Sequence, residues 1–293
     1  MKKVLLAGLV FGSIAMAQTY YDVLPYAGYL NYGGSTTKDK GYIGGVYFSA
    51  TQSPWKTEID AEHTNISYKS QTETDKFGRT TTTTQPDLKQ TDLTLKVNYY
   101  QGDDLVYNVG LHYINTTDTL TDNAKIYMVG VLYYKTAKCN AGIDVYYSDY
   151  SNLSTSPKLY QVSPKVGMNF GDYNLNIGSF YAQAKIDYIK PIKNRSENDL
   201  RNSYTSLELN LNNYYGKFTT SINGWIGKRA YAVENSGFIV NNIGDEQTGG
   251  MKIAESYKLD KTQSIKFEYS YTKFKDNGNS HLNTYLVSYN YGF

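Results

Sequence analysis

From residue 20 to its end the chain repeatedly alternates apolar or aromatic side chains with smaller or more polar ones, in segments separated by turn-forming residues. Successive side chains of a strand point to opposite faces, so a period of two predicts β-strands with one greasy face each. Leu93, Leu95, Val97 and Tyr99 alternate with Asp92, Thr94, Lys96 and Asn98. Leu105, Tyr107, Val109, Leu111 and Tyr113 alternate with Val106, Asn108, Gly110 and His112, and Ile265, Phe267, Tyr269 and Tyr271 with Lys266, Glu268, Ser270 and Thr272. The rhythm predicts fourteen strands, over 20–33, 41–51, 55–68, 88–101, 105–116, 124–135, 140–150, 158–170, 173–188, 202–213, 216–229, 247–258, 263–274 and 281–293. Segment 124–135 is apolar on both faces, so the pattern does not assign its inner side. Apolar parity changes within 173–188, from Leu175 and Ile177 to Phe180, Ala182 and Ile186, which predicts a β-bulge near Gly178-Ser179. Pro164 gives no ladder hydrogen bond and predicts a bulge or break.

The connections alternate too. Even-numbered segments are followed by tight turns at Ser53-Pro54, Gly102-Asp103-Asp104, Thr136 to Cys139, Gly171-Asp172, Tyr214-Tyr215 and Leu259 to Thr262. Odd-numbered ones are mostly followed by longer polar stretches, including Lys69 to Asp87 with its Thr80 to Thr84 run, Ile189 to Arg201, and Ala230 to Glu246; Lys275 to Ser280 is short. Mean hydropathy is low at −0.53, but alternating strands dilute their lipid-facing residues with lumen-facing ones and score as polar. Tyrosine decides the matter: 32 Tyr and 10 Phe against 2 Trp is a heavy load of amphipathic rings suited to bilayer interfaces. Every unsatisfied amide facing lipid costs several kcal/mol, so spanning structures are helix bundles or closed barrels. Without candidate helices, the expectation is an all-β, antiparallel, up-and-down transmembrane β-barrel.

Both ends of the sequence fit that solvent. Met1-Lys2-Lys3, an apolar run from Val4 to Ile14 and the small-x-small site Ala15-Met16-Ala17 read as a secretory signal peptide over residues 1–17, leaving 18–293 as a single barrel domain. At the other end Tyr285, Val287, Tyr289, Tyr291 and Phe293 form one aromatic stripe. On the leader, the strand rhythm and the terminal Phe293, the chain resembles bacterial outer-membrane β-barrels, whose last strand closes the ring and ends in an aromatic residue read by the assembly machinery. The resemblance implies that Tyr289, Tyr291 and Phe293 form the assembly signal, with outer-membrane lipid and the barrel-assembly machinery as partners. It implies short turns and both termini in the periplasm, and long loops outside. Fourteen strands exceed the roughly eight whose side chains fill a barrel. The chain looks like a small porin, expected as a monomer rather than a trimer, passing small hydrophilic solutes or ions by passive diffusion.

Strand parity then places charge in the lumen. Lys56, Glu58, Asp60 and Glu62 point inward on the third strand, opposite Trp55, Thr57, Ile59 and Ala61. Lys165, Lys217, Arg229, Lys252, Lys258 and Lys266 point inward across the ring, with Glu208 and Glu268 as exceptions. Such an arrangement is either a transverse field that screens solutes by charge or a solvated wall whose charges cross-pair. Trp225 has inward parity and is a conceivable sugar-stacking group, unless a bulge turns it to the lipid interface or it serves packing alone.

Other chemistry finds little support. There are 29 Lys+Arg against 27 Asp+Glu, and Lys2 and Lys3 lie in the leader, so the mature chain is formally neutral and a nucleic-acid partner has no electrostatic warrant. The single cysteine, Cys139, falls in a predicted turn and makes no internal disulfide. The three histidines, His63, His112 and His281, match no nucleophile or metal motif, and Ser280 and His281 point to opposite faces. Neither catalysis nor a cofactor is expected. Two alternatives to the porin remain: an adhesion barrel acting through Lys69 to Asp87 and Ala230 to Glu246, and a transporter of hydrophobic substrates resembling the fourteen-stranded fatty-acid channels. Those carry an amino-terminal plug, whereas here the first strand begins at Tyr20.

Overall fold

The computed structural model describes residues 19–293 apart from 75, 136–137, 172–176, 243 and 277–278. The leader expected over residues 1–17 lies outside the described residues. Fourteen antiparallel strands close into one barrel, each pairing with its neighbours in sequence. They are β1 (Tyr20–Gly33), β2 (Lys38–Gln52), β3 (Trp55–Tyr68), β4 (Leu88–Gln101), β5 (Leu105–Thr116), β6 (Ala124–Lys135) and β7 (Cys139–Asp149). The second half comprises β8 (Lys158–Gly171), β9 (Ser179–Lys193), β10 (Tyr204–Tyr215), β11 (Phe218–Arg229), β12 (Glu246–Lys258), β13 (Gln263–Lys275) and β14 (Ser280–Gly292). These are the fourteen segments of the sequence pattern, with their ends moved by a few residues.

Closure is made by the aromatic carboxyl end. β14 runs against β1 from Gly292 opposite Asp22 to His281 opposite Gly33. Beyond it, Phe293 and Tyr21 exchange two backbone hydrogen bonds of 2.9 and 3.0 Å, and their rings stack at 5.3 Å. No sheet edge is left in the ring, which is what a backbone without water requires.

Connections divide the barrel into a turn end, which carries both termini, and a loop end. At the turn end, Asp260 accepts the amides of Thr262 and Gln263 at 2.8 Å each, and the Thr262 amide holds this carboxyl below the usual carboxylate range. At the loop end, 69–87 rises as a hairpin of Ser70–Thr74 against Thr80–Thr84. Its threonines face one another across the strands, with Thr72 and Thr82 hydroxyls 3.2 Å apart.

The ninth strand departs from expectation. β9 begins at Ser179 after a bend at Ile177 and a positive φ at Gly178, and continues through Pro191 to Lys193. Its outward stripe, Phe180, Ala182, Ala184, Ile186 and Tyr188, is unbroken, so the change of parity marks the start of the strand rather than a bulge within it; Leu175 lies outside the described residues. Pro164 interrupts the β8–β9 ladder between Val162 and Lys165 without shifting its register, because a missing donor removes a bond but adds no residue. β11 starts at Phe218, which leaves Lys217 in the turn, and Cys139 opens β7 instead of lying in the turn before it.

The outer face is built for hydrocarbon. Leu95, Leu111, Val109 and Val129 are exposed in the middle of their strands. Ring pairs flank this band at both rims: Trp55 with Tyr99, Phe170 with Phe180 and Phe218 with Tyr257 at the turn end, and Tyr29 with Tyr42 and Tyr147 with Tyr160 at the loop end. Two aromatic girdles around an apolar belt are the exterior of a membrane barrel. For β6 the ambiguity resolves: Ala124, Ile126 and Met128 are buried inside, and Tyr127 and Val129 face out. Val129→Arg is therefore expected to lower the stability of the lipid-folded state by about 2–4 kcal/mol, read from urea unfolding in phospholipid vesicles.

Candidate channel lumen

A glycine decides what happens inside. At Gly227 of β11 the backbone has φ +115°, and a Cβ there would lie 2.4 Å from the carbonyl oxygen of Thr205. The β11–β12 register shifts between Ile226 and Arg229, so β11 accommodates one extra residue, and Arg229 keeps the inward parity of Trp225. From there the chain turns inward. Ala230, Tyr231, Ala232 and Val233 are all buried. Val233–Glu234 pairs with Ile239–Val240 around a turn over Asn235–Gly237, in which Asn235, Ser236 and Gly237 all take positive φ.

This small hairpin crosses the lumen. Gln161 on β8 reads its backbone, donating to the Val233 carbonyl at 2.7 Å and accepting from the Val233 amide at 2.8 Å. Tyr231 packs on Tyr150 with ring centres 5.0 Å apart, and desolvation there raises the Tyr231 hydroxyl pKa. At the tip, Gly237 lies against Met128, where a Cβ would come within 2.3 Å of the sulfur. Phe238 meets Tyr47 edge-on at 5.6 Å and lies under the Lys96 ammonium at 5.5 Å, contacts on β2 and β4. On the way back Asn242 donates to Gln90 at 2.6 Å, and Asp245 pairs with Lys38. Of the segment expected as a surface loop from Ala230 to Glu246, residues 230–242 thus form an internal element.

Apolar side chains surround it in the loop-end half. One cluster joins Ile114, Ile126, Met128, Tyr146, Leu159, Ile189 and Tyr204 of β5 to β10 to the inward segment. A second joins Leu30, Tyr32, Ile66, Leu88 and Phe274, with Ile43, Tyr68 and Leu282 packed against it. Toward the turn end the inner wall becomes polar and half-exposed.

Arg229 is the node between the two halves. Its side chain is 0 % exposed, and its guanidinium is 2.8 Å from Asp187, 2.9 Å from Glu208 and 3.3 Å from Glu234. Nε donates to Ser206 at 2.7 Å. One face of the guanidinium stacks on Trp225 at 4.1 Å. The bulge lies beyond Trp225, so the indole stays inside. It lies against Gly250, where a Cβ would stand 2.5 Å from Nε1. Trp225 is therefore a packing support for Arg229, the last of the readings its parity left open.

The acidic set of the sequence lies on the inner face of β3, but its members differ. Glu58 is compensated, with Lys56 at 3.1 Å, Lys96 at 3.9 Å and hydrogen bonds from Tyr47 and Asn98, each 2.6 Å. Asp60 and Glu62 share the Tyr26 hydroxyl, at 3.1 and 2.8 Å, and Glu62 also accepts from Thr64 at 3.5 Å. Beside them Asp92 accepts from Gln90 at 2.8 Å and meets His112 at 3.1 Å. Among the described residues no lysine or arginine pairs with these three. The basic set splits as well. Lys165 is held by Asp144 at 2.5 Å, and Lys252 and Lys266 lie 3.6 and 2.8 Å from Glu268. Lys217 sits outside the lumen, in the turn, donating to the Leu259 carbonyl at 3.2 Å, and Lys258 is exposed at the turn-end rim. Lys217 precedes the first residue of β11, whereas Lys258 is the last residue of β12, opposite Ser264, and keeps the inward parity at the very rim.

Several interior charges were not in the sequence-derived set. Asp92, Lys96, Asp144, Lys185 and Asp187 are on inward parity and could have been found by it, whereas their pairing, such as Lys185 to Glu208 at 3.0 Å, needs the register. Glu234 carries no periodic signal. Tyr289, Tyr291 and Phe293 line the outer face at the turn end, with Tyr291 stacked on Phe293 at 5.7 Å. The three histidines are apart: His63 outside beside Thr91, His281 outside against Tyr271, and His112 inside beside Thr94.

No protein-family model and no curated relative matches the sequence. Solved structures do match the fold. The toluene transporter TbuX of Ralstonia pickettii superposes with a TM-score of 0.58 at 10% identity, over 95% of this chain and 90% of that one. The Pseudomonas putida toluene transporter TodX gives 0.54 at 10% identity, with 95% and 90% covered. A bacterial polysaccharide outer-membrane secretin gives 0.55 at 9% identity over 93% and 98%. With fourteen closed antiparallel strands, a girdled apolar exterior and no helical plug among the described residues, the chain has the fold of the porin-like outer-membrane β-barrels.

Proposed function

We propose that this protein is an outer-membrane channel for small hydrophilic solutes or ions, held shut at its outer mouth by its own residues 230–242. The observation that carries the reading is the contrast along the lumen: a polar, half-exposed inner wall at the turn end beneath an apolar, filled loop end. The tight turns and both termini then face the periplasm, and the long connections face outward. Outer-membrane lipid covers the girdled exterior, and the exposed Tyr291 and Phe293 suit recognition by the assembly machinery. The chain acts as a monomer, with no catalytic step and no cofactor.

A second reading is favoured by one feature. The loop-end half is lined by aliphatic and aromatic side chains, and TbuX and TodX are toluene transporters, so passage of apolar molecules is the alternative.

Replacing residues 232–242 by a short Gly-Ser linker is expected to raise single-channel conductance in planar bilayers severalfold. Unchanged current would reject the inward segment as the closing element, and toluene flux without ion current would select the second reading. In the same opened background, Asp60→Asn with Glu62→Gln should lower the cation-to-anion permeability ratio, measured as reversal potential across a KCl gradient. Glu58→Gln should move it much less, because Lys56 and Lys96 already compensate that carboxylate.

A further inference from the structure

Below the Arg229 node, the inner wall of β9 to β11 carries a band without charge. The register places Gln183 opposite Asn210 and Asn210 opposite Asn223, and in the next inward row Tyr181 opposite Asn212 and Asn212 opposite Ser221. All six side chains are half-exposed, so water in the lumen reaches them. Charges bordering the band are neutralised in place: Lys185 by Glu208 at 3.0 Å, and Lys252 by Glu268 at 3.6 Å. Toward the turn end the next inward row of these three strands holds Ser179, Tyr214 and Thr219.

Most members of the band keep hydrogen-bonding capacity in reserve. Asn210 and Asn212 make no side-chain hydrogen bond among the described residues. Gln183 uses its amide nitrogen on the Tyr181 hydroxyl at 2.7 Å and keeps its carbonyl oxygen, and Asn223 uses its nitrogen on Glu208 at 3.0 Å. Tyr181 lies against Gly167, where a Cβ would sit 2.4 Å from the phenolic oxygen. The glycine thus lets an aromatic ring rest along the wall beside a row of amides.

We infer that this band is a binding site for neutral polyhydroxylated solutes of the saccharide class, an inference that rests on the channel reading and names its solute. A carboxamide presents one acceptor and two donors side by side, which matches adjacent hydroxyls that each give and take a hydrogen bond. Replacing ordered wall water by such hydroxyls loses little enthalpy, whereas an ion would gain no opposite charge here. The CH face of a sugar ring meets the apolar face of Tyr181.

The test uses the full chain in lipid nanodiscs, with methyl glucoside as the probe in saturation-transfer NMR and gluconate and glucosamine as charged comparators. Wild type should bind methyl glucoside in preference to both. Asn210→Ala with Asn212→Ala should weaken binding about tenfold, the loss of two hydrogen-bonding groups. Asn210→Leu with Asn212→Leu, which keeps the volume, should do the same, and ion current in planar bilayers, read after replacement of 232–242, should be unaffected by either pair. Equal binding by wild type and both variants, or preference for a charged comparator, overturns the site. Ion current without methyl glucoside binding sinks the site and leaves the channel standing. Binding lost in both variants, from a chain that passes neither ions nor sugar after removal of 232–242, keeps the site and sinks the channel.

Discussion

Everything in this molecule follows from the closure of one hydrogen-bonded ladder. In hydrocarbon an unpaired amide has no water to turn to, so the fourteenth strand must find the first. The residues that make the meeting possible are at the extreme ends: Tyr21 and Phe293 complete the seam with two backbone bonds and a ring stack. Closure fixes parity around the whole ring, and parity decides which side chains meet lipid and which share the lumen. The inner charges are therefore neighbours by register, and that is why most of them neutralise one another locally instead of forming two opposed walls.

A ring of this size has more room than its own side chains fill, and in the loop-end half that space is taken by residues 230–242. That solution begins at a backbone irregularity. Arg229 ends β11 on the inward parity, and just past the register shift at Gly227 the chain turns into the lumen instead of leaving the rim as an ordinary loop. Once inside, Arg229 is fully desolvated, a state tolerable only because three carboxylates and the Trp225 face surround it. Removing one partner from such a set would leave charge buried and unpaired, which costs about 3–5 kcal/mol, so the node is rigid by necessity.

The wall was legible in the sequence and its contents were not. Strands such as Leu105–Thr116 are written in a local code, because lipid on one side and lumen on the other impose a period of two. That code fails where one side loses its contrast. On β6 the inner face is apolar because Ile126 and Met128 pack against the inward segment instead of water, and the ambiguity of that strand was itself the trace of something filling the barrel. The segment carries no periodicity, and its contacts, Gln161 with Val233 or Gln90 with Asn242, span 72 and 152 residues. Lys217 was misplaced for the opposite reason: parity says where a side chain points within a strand but not where the strand starts.

The inward segment is held asymmetrically, and the asymmetry bears on how the proposed channel opens. On the β11 side the segment is bound by the buried Arg229 node. On the far side it is held by Phe238 against Tyr47, Asn242 on Gln90 and Asp245 on Lys38. Releasing the far side breaks few bonds, each worth about 1 kcal/mol net, but it also uncovers Met128 beneath Gly237, whose burial contributes roughly 1.5–3 kcal/mol. The total is several kcal/mol, enough to leave the open form a minor population at rest. A ligand or field that favours opening must act on the far side, where the contacts are polar and exchangeable, because the near side is fixed by charges that have nowhere else to go.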